Sequence, residues 1–301
     1  MSRRILVAVL AVFLFAAALS GTAAGKPDAA TIERLTATKG SWNEKEGVFK
    51  VSVPRADLSV SSGDVRLSPA LGLTSWAAFT GSGQSSMVMG DMVLTEEQVN
   101  PVMSVALDSG LAVTALHNHF FGESPRVMFL HIAGTGDEAD LAAAVGKVFA
   151  RIRNSRRGKA PPRGGRIDPA RTSLDPARIE RILGVTGERK DGVYKVVVGR
   201  TARMHGEDVG GAMGVNTWAA FAGSDARAVV DGDFAVLESE LQDVLKSLRH
   251  AGIDIVAIHN HMSGEDPRIV FLHYWGIGPA ADLARGVRAA LDKTSAPGSS
   301  R

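Results

Sequence analysis

Two stretches of this chain, HNHFFGESPRVMFLH at 117–131 and HNHMSGEDPRIVFLH at 259–273, carry two histidines, a glutamate and a third histidine at one spacing, His-x-His-x3-Glu-x7-His. Six of the eight histidines of the chain fall in these two copies. Imidazole nitrogen and carboxylate oxygen both donate lone pairs to divalent transition metals, so His117, His119 and His131 form one candidate ligand set and His259, His261 and His273 another. Zinc is the first candidate, with iron and copper as alternatives. Glu123 and Glu265 stand where a carboxylate can complete the ligand set or act as general base on a metal-bound water.

The apolar runs LAVTALHNH and IDIVAIHNH predict buried strands, and residues two apart in a strand point to one side, which lets His117 and His119, or His259 and His261, reach one ion. Gly122 and Gly264 free the following loop to swing its glutamate back. A symmetric hairpin centred on 122–123 would set residue 117 opposite 128 and turn His131 to the far face; a bulge would bring it back. The spacing His-x-His-x3-Glu also resembles the first metal motif of cupins, over those seven residues alone. A competing reading has the histidines ending a buried strand, with Glu123 paired to Arg126 and Glu265 to Arg268. Arg126 and Arg268 are otherwise candidates to bind a carboxylate or phosphate of a ligand. His205, inside the Gly-rich stretch RMHGEDVGGAMG at 203–214, is a further ligand-binding candidate. Trp76, Trp218 and Trp275 are expected in the core, with stacking on a substrate as the alternative, and Asp91 and Asp233, each following glycine, in turns, with a place among the site ligands as the alternative.

The histidine motif belongs to a larger repetition. SWAAFTGS at 75–82 returns as TWAAFAGS at 217–224 and GTGDEADLAAAV at 134–145 as GIGPAADLARGV at 276–287, all at an offset of 142 (259 − 117 = 142). Over 76–145 against 218–287, 30 of 70 positions are identical, so the chain is a tandem duplication with repeats at 30–153 and 173–292. Each repeat reads as helix, strand, strand pair, helix, strand, strand, helix. The period-2 runs VFKVSV and VYKVVV are strands; TEEQVNPVMSVALDSG and ESELQDVLKSLRHAG are helices closed by glycine. The expected class is α+β, each repeat an antiparallel sheet covered by helices, with the repeats packed together.

Arg3 and Arg4 precede an apolar run from Ile5 to Leu19 and then small residues, the pattern of a cleaved signal peptide over 1–24. That run falls short of the ~20 residues of a membrane-spanning helix, so no stable span is expected after cleavage and the protein is expected to be secreted or periplasmic. There is no cysteine, which excludes disulfides, thiolate ligands and lipidation on cysteine. A formal charge of +2 points to no polyanionic partner. The basic residues gather at 154–172, whose Arg, Gly and Pro read as a linker; without interleaved aromatics it is not expected to bind nucleic acid. Residues 293–301 read as a disordered tail.

TWAAFAGS, the Gly-Asp strand, HNH, GE-x-PR and FLHYWG with FLHIAG together resemble the LppY/LpqO family of exported lipoprotein domains, over nearly all of the mature chain. The resemblance implies an extracytoplasmic duplicated domain and no known activity; the missing lipobox cysteine departs from the lipoprotein members. Whether the chain is an enzyme stays open at this point. The residues fit a metal-dependent hydrolase or lyase acting on an unidentified small molecule. They equally fit a non-catalytic protein that binds a ligand or another envelope component and uses its histidines structurally.

Overall fold

The computed structural model describes residues 25–62, 64–155 and 167–295; the expected signal peptide, most of the linker and the end of the tail lie outside them. Twelve strands form one antiparallel sheet: β1 (Gly40–Asn43), β2 (Val48–Pro54), β3 (Thr74–Thr80), β4 (Ser86–Thr95), β5 (Ala112–His117) and β6 (Val127–Gly136) from the first repeat, then β7 (Glu188–Lys190), β8 (Val193–Gly199), β9 (Asn216–Gly223), β10 (Ala228–Leu237), β11 (Asp254–His259) and β12 (Ile269–Gly278) from the second. Their order across the sheet is β1-β2-β3-β4-β6-β5-β11-β12-β10-β9-β8-β7. The architecture is mixed α and β with antiparallel pairing, as the alternating patterns imply.

The halves join through Leu116 on β5 and Ile258 on β11, which are partners in the ladder. These are equivalent residues of the two repeats (258 − 116 = 142), so a pseudo-twofold axis passes between them. Side chains reinforce the seam symmetrically. Asn100 accepts from the Ile255 amide at 2.8 Å and donates to its carbonyl at 3.2 Å, while Gln242, its equivalent, does the same to Val113 at 2.8 Å each way. Each amide thus substitutes for a ladder partner beside the irregularities at Val113/Ala115 and Ile255/Ala257. Truncating Asn100 or Gln242 to alanine strands one N–H and one C=O, and each change should cost about 1–3 kcal/mol of unfolding free energy in a urea titration.

Six helices lie on one face: α1 (Ala29–Thr36), α2 (Glu96–Asp108), α3 (Glu138–Asn154), α4 (Pro176–Leu183), α5 (Leu241–His250) and α6 (Ala280–Leu291). Asp137 caps α3 by accepting from Ala139 and Asp140, which stabilises the exposed amides of its first turn. Val99, Val102, Met103, Ala106 and Leu107 are buried along α2 at helical spacing. They join Val88, Met92, Leu94, Leu116, Leu130 and Ile132 in one apolar core that runs on into the second repeat. The opposite face of the sheet carries no α-helix among the described residues. Segments before β3 and β9 cover part of it: Val60, Leu67 and Leu73 pack on Val93, Val127 and Phe129, and Ala202, Val209 and Val215 pack on Ala235, Ile269 and Phe271.

This second face is where the tryptophans lie, against the expectation of core positions. Trp275 is 42 % exposed, and Trp76 and Trp218 are half-buried outside the apolar core. Their strands present alternate residues to each side, and the small alanines at 77 and 219 take the helix side instead.

Candidate metal centre

His117 pairs with Phe129 and Ala115 with His131 across β5 and β6; His259 pairs with Phe271 and Ala257 with His273 across β11 and β12. This register is one residue removed from the symmetric hairpin, and that single step returns His131 and His273 to the open face with His117 and His259. His119 and His261 lie just beyond the strand ends, so their aim comes from packing rather than from strand parity. His119 stands on the ring of Phe129 with centroids 4.0 Å apart, and His261 stacks on Phe271 at 3.5 Å and 11°.

The residues that complete each cluster are aspartates. Asp91 on β4 is the ladder partner of His131, and Asp233 on β10 is the partner of His273. Gly-Asp is turn-like in composition and favours a turn at both over a place in the site, yet both lie in mid-strand. The glycine has another cause. A Cβ at position 232 would lie 2.2 Å from the ring of Tyr274, and one at 90 would lie 2.8 Å from the Trp76 carbonyl oxygen. Close packing on the helix side therefore selects glycine in mid-strand, and the next residue points to the open face.

In the second repeat, Asp233, His259 and His261 each offer a donor atom, all within 4.8 Å of one another, and together could hold a metal ion. His261 Nε2 lies 3.9 Å from Asp233 Oδ2, and His273 Nδ1 lies 3.9 Å from Oδ1. Such separations exceed a hydrogen bond and suit donors sharing an ion about 2.0–2.2 Å from each. Asp233 Oδ1 and His259 Nδ1 are buried without hydrogen-bond partners. Burial raises the Asp233 carboxyl to about 6, opposed in part by His273. Burial, then His273 and His261, push the His259 imidazole below its ordinary value; burial and then His273 do the same to His261. A carboxylate lacking a counter-charge beside imidazoles held neutral is the electrostatic state that a cation relieves.

The first repeat has the same parts, but two of its imidazoles contact each other directly, and the three-donor group among the described residues is that of the second repeat. His117 Nε2 and His131 Nε2 are 2.9 Å apart, and His131 Nε2 is 3.9 Å from Asp91 Oδ1, which is again buried without a partner. Burial raises the Asp91 carboxyl, offset by His131, His117 and His119 in that order.

The glutamates and arginines of the motif are not among the three donors that converge. Glu265 Oε1 accepts from the Ile269 amide at 3.1 Å. Glu123 begins a two-residue strand paired with Ser62, and its Oε1 is buried without a partner. Arg126 pairs with Glu96 at 3.7 Å rather than with Glu123. Arg268 is exposed and forms no ion pair among the described residues. His205 is exposed in the turn between 202–204 and 207–209, in a left-handed conformation with φ 53°.

Comparisons with known proteins add a family and no activity. Among solved structures, a trimeric bacterial microcompartment shell protein, PduB, matches at 13 % identity over 84 % of this chain and 89 % of that one, with a TM-score of 0.18. Aspartate kinase from Synechocystis matches at 9 % identity over 74 % of this chain and 42 % of its own, also at 0.18. Neither value is high enough to indicate a shared fold. No curated protein matches. The family model described as Domain of Unknown Function (DUF1259) matches twice, at residues 30–151 and 177–293, nearly the bounds of the two repeats. The chain accordingly belongs to the DUF1259 family and carries its domain in duplicate.

Proposed function

We propose that this protein binds a divalent transition metal, zinc first, at Asp233, His259 and His261, with His273 beside them, and that the equivalent Asp91, His117 and His119, with His131 beside them, form a second site. The observation that carries this reading is the buried, unpartnered Asp233 Oδ1 within a group of donors that could hold one ion. Three protein donors leave a fourth tetrahedral position for water or a substrate oxygen, the arrangement of catalytic rather than structural zinc. A bound metal would lower the pKa of that water or polarise a carbonyl, which suits hydrolysis or a lyase reaction. The uncommitted imidazole of His273 is placed to take up the proton.

Glu265 anchors the loop backbone in this reading and is not a ligand. Its replacement by glutamine is expected to leave zinc stoichiometry unchanged and to lower thermal stability by no more than about 1 kcal/mol; loss of metal from that variant would place Glu265 in the ligand set instead. Arg268 and His205 are proposed as outer contacts for a ligand entering from the open face. The leader-like residues 1–24 and the LppY/LpqO resemblance support export, and no helix among the described residues is long and apolar enough to cross a membrane. The symmetric seam supports the two repeats acting as one packed body. Zinc added to the untagged full-length protein should raise its melting temperature, and an unchanged melting temperature would count against the proposal.

A further inference from the structure

Beside each candidate centre stands an ammonium with no carboxylate partner. Lys50 Nζ sits over the Trp76 ring, 4.1 Å from its centroid, and Lys195 Nζ sits over Trp218 at the same 4.1 Å. Neither lysine forms a salt bridge among the described residues. Trp76 is the ladder partner of Asp91, and Trp218 of Asp233. One row across the open face therefore reads Trp76, Asp91, His131, and its counterpart reads Trp218, Asp233, His273.

In the adjoining row, Lys50 faces Ala78, and Lys195 faces Ala220. The small alanine leaves the sheet low beside the indole, so the lysine can fold back over the tryptophan that separates it from the aspartate. Each indole holds its lysine by a cation–π contact, which fixes the charge while keeping it accessible. The strand holding the lysine and the strand holding the aspartate are two strand spacings apart, roughly 10 Å between backbones. The lysine side chain reaches back over the intervening tryptophan and shortens that gap.

Resting on the metal reading above, we propose that Lys50 and Lys195 are anion-binding residues and that the ligand of each centre carries an oxyanion, a carboxylate or a phosphate. One anionic oxygen takes the open metal position while the ammonium faces the remainder of the group, and the flat indole offers an apolar surface to whatever the oxyanion is attached to. A cation and a Lewis acid on one side of a shallow face select against neutral and cationic ligands. The repeats differ in charge beside the lysine's row. Asp231 of the second repeat faces Ala220 and lies beside the site, where the first repeat has Met89, so the second centre binds an anion more weakly than its lysine alone would allow.

Cobalt(II) in place of zinc gives a visible absorption band that reports on the open coordination position. Cobalt-loaded full-length protein would be titrated with inorganic phosphate and with malonate, as wild type and as Lys50→Met, Lys195→Met and the double variant. Both lysines are exposed, and circular dichroism checks that the variants keep the fold. The expected result is saturable perturbation of the band in wild type, apparent Kd raised about tenfold in the double variant, a wild-type Kd in Lys195→Arg and tighter binding in Asp231→Asn, with cobalt still bound by every variant. The stronger response of phosphate or of malonate identifies which oxyanion the site prefers. Equal Kd in wild type and double variant, or no perturbation by either anion, overturns the lysine assignment and leaves the metal centre standing. Failure of cobalt to bind at all overturns the metal reading, and this one with it.

Discussion

Replacing Asp233 with asparagine is expected to abolish tight metal binding at the second centre and, in the metal-free protein, to raise stability at alkaline pH. The two effects have one origin. Burial lifts the Asp233 carboxyl from 3.8 to about 6, so between about pH 4 and 6 the folded state holds a proton that the unfolded state has released. A raised carboxyl contributes stability fully below its unfolded pKa and loses it as pH rises through its folded one. The metal-free wild type should therefore lose about 1–3 kcal/mol between pH 4 and 7 from this group, the spread allowing for coupling to His273. Asparagine keeps the volume and carries no charge, so Asp233→Asn should be flatter in pH and about 1–2 kcal/mol more stable than wild type at pH 8. Zinc should stabilise wild type most where Asp233 is ionised and should stabilise the variant only through the first centre. Urea denaturation from pH 4 to 8, with and without zinc, measures both; a variant less stable at pH 8 than wild type would show that Asp233 holds the fold together instead.

The second large effect is that of removing the paired histidines. His259→Ala/His261→Ala takes away two of the three donors that converge at the second centre, and a single remaining carboxylate has no chelate advantage. Zinc affinity at that centre should fall at least about 1000-fold, the loss of two charge-assisted contacts of a few kcal/mol each. A ligand at 100 times its Kd stabilises by about 2.7 kcal/mol, which for a chain of this size shifts the melting temperature by about 5–10 °C. The double variant should lose that shift for the second centre and keep the contribution of the first. His205→Ala, on its exposed turn, should lose neither. Because His261 lies on Phe271 and outside any strand, alanine there removes a stacked ring without opening the core.

How much of this was legible beforehand follows from where each residue's position is decided. The duplication, the helices ending at Gly110 and Gly252, and the strands leading to His117 and His259 all follow from local periodicity and capping, and the structure has elements at each. The partner of His131 is decided by a ladder between strands some forty residues apart in sequence, which no local pattern encodes, and so Asp91 was read as a turn. A signal was available. Asp91 and Asp233 recur at the repeat offset inside runs otherwise apolar, and a charged residue in a buried strand must face something. The glycine before each masks it, since its cause is packing elsewhere: the Tyr274 ring at Gly232, and the Trp76 carbonyl with the Ile132 and Met92 side chains at Gly90. The tryptophans were misplaced for a similar reason: composition says that an indole is apolar, but only the missing layer of helices on the second face leaves it beside solvent.

Isothermal titration of metal-free, untagged wild-type protein with zinc, read beside elemental analysis of the same sample, tests the central claim most directly. Saturable binding that reaches at least one zinc per chain, releases fewer protons at pH 8 than at pH 6 as the Asp233 carboxyl ionises on its own, and is lost at the second centre in Asp233→Asn is the predicted result. Sub-stoichiometric metal in wild type and variant alike, with no heat of binding and no change in melting temperature, would contradict it.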